Sequence, residues 1–101
     1  MADRLELHKV LVDILGSDQV YFQPPASVYL KYPVIIYSRK RIENTFADDT
    51  VYKQAHHYEI TLIDKDPDSS IVGKISRLPR CEHDRHFTSE NLNHDVFELY
   101  Y

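Results

Sequence analysis

Six side chains able to bind metal or move protons fall within fifteen positions: Cys81, His83, Asp84, His86, His94 and Asp95, in "CEHDRHFTSENLNHDVFELYY". Thiolate, imidazole and carboxylate are the ligand set of zinc, and imidazole with carboxylate is the usual pair of acid–base catalysis. Spacing decides whether they can converge. Zinc sites draw their ligands from close pairs such as C-x2–4-C or H-x3–5-H. The nearest approach here is His83 with His86. On a strand, side chains three apart point to opposite faces, so these two meet only across a bulge. Cys81 and His83 share a face, but two ligands from one strand leave the rest of a coordination shell unspecified. The spacing therefore predicts no metal site. It places His83 and His86 on a hairpin, one inside and hydrogen-bonded, the other outside.

Nucleophilic catalysis fares no better. A cysteine beside a histidine can be an activated thiolate, but a lone Cys81 opening a strand after "LPR" reads as a small buried hydrophobe. There is no G-x-S-x-G elbow, and two glycines in the whole chain cannot build a phosphate-binding loop. Asp64 and Asp66 stand beside Pro67, where Asp serves turns and caps. Asp48 and Asp49 read as a solvated loop. His56 and His57 alternate faces of a strand with no evident partner. No catalytic residue, metal ligand or cofactor is assigned, and a non-enzyme is expected. The alternative from another class is a small metal-dependent hydrolase using the histidines and Asp84.

These residues need elements to hold them. Leu7, Val10, Leu11, Ile14 and Leu15 form an i, i+3, i+4 stripe, predicting a helix over 3–15 with Asp3 as cap and Gly16 as stop. Val20–Gln23 reads as a short strand ended by Pro24 and Pro25. Pro33–Arg41 is a strand whose Val34, Ile35 and Ile36 predict burial on both faces. The polar stretch "IENTFADDTV", residues 42–51, reads as a long connection. "YKQAHHYEITLID" is the clearest strand, with His56, Tyr58, Ile60 and Leu62 on one face, pairing antiparallel with 33–41. A short helix capped by Asp68 or Ser69 carries Ile71, Ile75 and Leu78 on one face and ends before Pro79. A strand over 81–87, a turn through "TSENLN" and a strand over 95–101 close the chain. The order predicts one α+β domain spanning 1–101, a mainly antiparallel sheet with both helices on one face.

Composition narrows the function classes. The 101 residues are 43% hydrophobic and 28% charged, enough for one core. A net charge of −4 argues against a nucleic-acid-binding face. The Arg39-Lys40-Arg41 run reads as an exposed strand end. One cysteine excludes an intrachain disulfide and suits a reducing compartment. "MADRLELHKV" holds no apolar run of signal-peptide length, and no stretch reaches a membrane-spanning length. The expectation is a soluble protein, intracellular when made. Eight tyrosines against four phenylalanines point to surface that is partly wet and awaits a partner.

"YFQPPASVYLKYPVIIYSRKR", "YEITLIDKDPDSSI" and "LPRCEHDRHFTSENLNHDVFELYY" together resemble the tail terminator or tail completion proteins of long-tailed bacteriophages. These minor capsid, head–tail joining proteins are matched over nearly the whole chain, most specifically in the last block. The resemblance implies compact α+β subunits forming a ring, commonly sixfold, at the head-proximal end of the tail tube. Such a ring stops tube growth and presents a surface to the head connector, while DNA passes through its lumen. It implies a virion neck or tail location, assembly in the host cytoplasm, no cofactor and no membrane. An adaptor or stopper connector is the sister reading. The family has no catalytic motif, so residue roles come from this sequence. Phe46, Tyr52, Tyr100 and Tyr101 are expected at subunit or partner interfaces. Glu43, Asp48 and Asp49, on the 42–51 connection, are expected to face passing DNA.

Overall fold

The computed structural model describes residues 4–24, 31–47, 50–66 and 68–101, with 45–47 and 51–53 described by backbone alone. The elements run α1 (Arg4–Leu15), β1 (Val20–Phe22), β2 (Val34–Ala47), β3 (Thr50–Asp64), α2 (Ser70–Ser76), β4 (Cys81–Ser89) and β5 (Leu92–Tyr100). The five strands form one sheet in the order β1-β2-β3-β5-β4. Among the described residues only the β1–β2 pair is parallel. This is the α+β architecture the element order predicts.

Alternation along the strands decides which side is core. Tyr58, Ile60 and Leu62 of β3 stand opposite Leu99, Phe97 and Asp95 of β5, so these share a face. Ile35 and Tyr37 join them from β2. Leu7 and Leu11 of α1 and Ile75 of α2 close on that face, and all three are fully buried. Both helices thus cover one side of the sheet. Val34 and Ile63, paired across β2 and β3, are buried on the opposite side with Val96. Burial of the β2 start on both faces is therefore observed.

Local chemistry ends the elements where expected. Gly16 takes φ 78° and donates its N–H to Val12 O at 2.8 Å, the left-handed helix stop that a glycine tolerates without strain. Asp3, the expected α1 cap, lies outside the described residues. Ser69 caps α2, its hydroxyl accepting from Ile71 N–H at 3.3 Å. Asp64 and Asp66 accept from the backbone N–H two residues on, at 3.1 and 2.9 Å. They are the turn residues the sequence suggests.

Two stretches correct the sequence reading. Residues 42–47 and 50–51 are strand, so the long connection does not exist. Ala47 pairs with Thr50, and only residues 48 and 49 lie between β2 and β3. Polar Glu43 and Asn44 resemble a loop in sequence, yet both are exposed on opposite faces of β2, and a ribbon wet on both faces needs no apolar alternation. The second correction is at the last turn. It is a two-residue turn with Glu90 at φ 53° and Asn91 at φ 64°, both positive as a type I′ hairpin requires. Asn91 fits it, whereas Thr88 and Ser89 of the expected turn belong to β4 and Leu92 and Asn93 to β5.

The β2–β3 hairpin outruns the rest of the sheet. β5 pairs with β3 only over His57–Asp64, and β1 touches β2 only at Ile35–Tyr37. Beyond these, the two strands form a ribbon of their own. The molecule measures 51 × 26 × 23 Å, with a radius of gyration of 14.7 Å. A compact domain of this length would have roughly 13 Å.

Candidate functional site

The β4–β5 hairpin brings three of the six singled-out residues together. β4 pairs with β5 in regular register until a bulge between His83 and Arg85. His83 stands opposite Phe97 and His86 opposite Asp95, and Phe97 and Asp95 are two apart on β5. The bulge at Asp84 absorbs one residue, so both histidines share the helix-covered face. His83 Nε2 donates to Asp95 Oδ1 at 3.1 Å, and His86 Nδ1 donates to the same oxygen at 2.8 Å. The expectation of one histidine inside and one outside is thus corrected, because the bulge at Asp84 reverses the parity beyond it.

Asp95 is 8% exposed while the two imidazoles are each about two-fifths exposed. A carboxylate this buried needs donors, because an unpaired buried charge is costly. The two histidines supply them from an edge strand, so the cluster ties β4 to β5. His83 also meets the Phe97 ring edge-on at 5.2 Å. Each imidazole already uses its inward nitrogen as a donor to the carboxylate. Among the described residues no three His, Cys, Asp or Glu side chains are grouped to hold a metal ion.

The other three candidates lie apart from this cluster. Asp84 is paired with its neighbour Arg85 at 2.6 Å. His94 stacks on Phe87 at 4.6 Å and donates to Leu92 O at 3.2 Å. Cys81 packs against the core, and burial pushes its thiol up to about 11, with Glu82 adding to the rise. A thiol with that value is about one part in a thousand thiolate at pH 8. Alkylation of Cys81 is therefore expected to be slow in the folded protein at pH 8 and to accelerate about tenfold per pH unit toward pH 11. Unfolding in urea should restore the rate of an ordinary cysteine. A folded-state rate equal to the unfolded one at pH 8 would show an exposed, ordinary thiol.

A second cluster, which the sequence reading missed, sits on the face away from the helices. A bulge between Arg39 and Arg41 splits the basic run. Arg39 stays on the helix-covered side, where its Nη2 donates to Tyr58 OH at 3.3 Å, so only Lys40 and Arg41 serve the far face. Lys40 bridges Glu59 and Glu98, both at 3.2 Å, and these hydrogen bonds raise its pKa, that to Glu98 most. Arg41 donates to Tyr100 OH at 3.5 Å and pairs with Glu43. His57 stacks flat on Tyr100 at 4.6 Å and is 5% exposed. Among the described residues neither of its ring nitrogens has a hydrogen-bond partner. Lys40, Arg41, His57, Glu98 and Tyr100 line an open cleft of about 420 Å³. Glu59 stands opposite Glu98 across β3 and β5, two acids side by side that call for a cation, and nothing local in the sequence records that pairing.

The expected interface and lumen residues fare differently. Tyr100 is held by His57, Arg41 and the Arg80 guanidinium, which lies 5.5 Å from its ring centre. Tyr101 packs against the core and exchanges backbone hydrogen bonds with His56 at 2.9 and 3.4 Å. Glu43 is not on a loop but on β2, opposite Ala55 and paired with Arg41, so it is no free acid. Phe46 and Tyr52 lie near the ribbon tip, where a register shift leaves Tyr52 without an opposite residue. Their side chains, like Asp48 and Asp49 altogether, lie outside the described residues. No helix among the described residues is long and apolar enough to cross a membrane. No known protein-family model and no curated protein sequence matches the chain.

Proposed function

We propose that the chain is a structural subunit of a bacteriophage neck or tail, assembling with copies of itself into a ring, commonly sixfold. The ring caps the tail tube and joins it to the head connector, and DNA passes through its lumen. The observation that carries this reading is the β2–β3 ribbon. Its outer half, beyond Tyr58, pairs mainly with itself. A two-stranded ribbon is marginally stable alone in water, so one this long is best explained by an assembled partner. The resemblance of three sequence blocks to tail completion proteins supplies the identity of the assembly. The tyrosine excess and a net charge of −4, unsuited to holding DNA, agree with it.

The direct test is stoichiometry. Quantitative mass spectrometry of purified virions is expected to find the chain at about six copies per particle, as closed cyclic symmetry requires of a sixfold ring. One copy per particle, or none, would refute the ring.

A further inference from the structure

We infer that copies of this chain join edge to edge, β4 of one pairing with the ribbon part of β2 in the next. The inference rests on the self-assembly proposed above and names its contact. β4 is the terminal strand of the sheet, and every residue from Glu82 to Ser89 is exposed. On the other side of the same sheet, among the described residues β1 pairs with β2 only at Ile35–Tyr37 and Gln23 Oε1 takes the Arg39 N–H, so the described β2 edge beyond Arg39 is the opposite terminus. Such edges present rows of backbone N–H and C=O groups that template another strand. Native edges are usually blunted by shortness, lysine or proline. β4 is nine residues long and Ile42–Ala47 of β2 six, and neither holds lysine or proline, so their remaining guards are a bulge in each strand and the charges of Glu43, Glu82, Asp84 and Arg85.

Strand direction makes the two edges fit. β2, β3, β5 and β4 are successively antiparallel, so β2 and β4 run in opposite directions. Two copies in the same orientation therefore meet antiparallel, and the same faces stay aligned. The contact joins two different surfaces, so repeating it generates a ring or a filament rather than a dimer. Register adds a stagger. Cys81 aligns through Leu99 and Tyr58 with Arg39, and from there β4 runs away from the ribbon. Neighbours must therefore shift along the strands, the offset by which a sheet tilts and closes into a barrel-like ring. The exposed apolar side chains Ile42 and Phe87 lie on these two edges, 44% and 40% exposed, and would gain cover there.

Cysteine trapping in the full chain tests this. In a Cys81→Ser background, Glu82→Cys or Thr88→Cys on β4 is mixed with Ile42→Cys or Asn44→Cys on β2, at millimolar concentration under mild oxidation. At least one β4-plus-β2 mixture is expected to give a roughly tenfold excess of mixed covalent dimer over either variant alone, because pairing raises the local thiol concentration. Cross-links only between β4 and β4 would mean a two-fold contact and overturn the inference. So would the lack of mixed cross-links, whether light scattering shows an oligomer or a monomer. An oligomer without mixed cross-links sinks the edge pairing and leaves the ring standing. The ring itself falls on the particle copy number.

Discussion

Replacing Leu11 with alanine is expected to lower folding stability by about 2–5 kcal/mol, read as a fall in denaturant midpoint at unchanged slope. Leu11 is fully buried, as is Leu7 one turn earlier, and both reach the sheet beside Ile75. Tyr37 fills the same face, its hydroxyl bonded to His8 Nδ1 at 2.8 Å and to Arg4 at 3.3 Å. Burial raises the pKa of that hydroxyl, with Arg4 partly opposing. Removing Leu11 thus opens a cavity between a helix and a sheet that few other side chains can close. For a domain of about 100 residues the loss corresponds to a melting point lower by roughly 10–30 °C. Lys9→Ala, on the exposed side of the same helix, should change stability by less than about 0.5 kcal/mol. Equal effects of the two substitutions would mean that α1 does not pack through its Leu7–Leu11 face.

Cutting the ribbon back is expected to separate folding from assembly. Glu43 stands opposite Ala55, so replacing residues 44–54 by Asn-Gly closes the shortened hairpin with a two-residue type I′ turn. Among the described residues, the core cluster draws nothing from the excised Asn44, Thr50 and Gln54. Stability should therefore change by about 1 kcal/mol or less, the contribution of a wet two-stranded ribbon. Virion assembly should fail, with heads and tails left unjoined or tails of uncontrolled length in electron micrographs. Normal particle yield from the shortened chain would remove the ribbon from any assembly role. A chain that no longer folds would show instead that the ribbon supports the core.

The elements were legible in the sequence because each rests on a short-range pattern. The α1 stripe, the Gly16 stop, the Ser69 cap and the alternation of Tyr58, Ile60 and Leu62 are all local, and each stands where its pattern places it. The α+β class follows from their order. What local pattern does not contain is the pairing of strands distant in sequence. Residues 42–51 look like a loop because their polarity signals water, and a ribbon solvated on both faces has the same composition. Only the match of β2 against β3 makes it strand. The cluster of His83, His86 and Asp95 depends on a single inserted residue at Asp84. A bulge exchanges the faces of everything beyond it, and its position is set by the register against β5, which no spacing rule within β4 records. His57 is the third instance. Its alternation predicts an outward side chain, and outward it points, but Tyr100 from the far end of the chain stacks on it and buries it. Short-range patterns decided which segments become helix or strand everywhere but in the ribbon. Long-range register decided which polar groups meet, because side chains on adjacent strands come within about 5 Å only where backbone pairing brings them there.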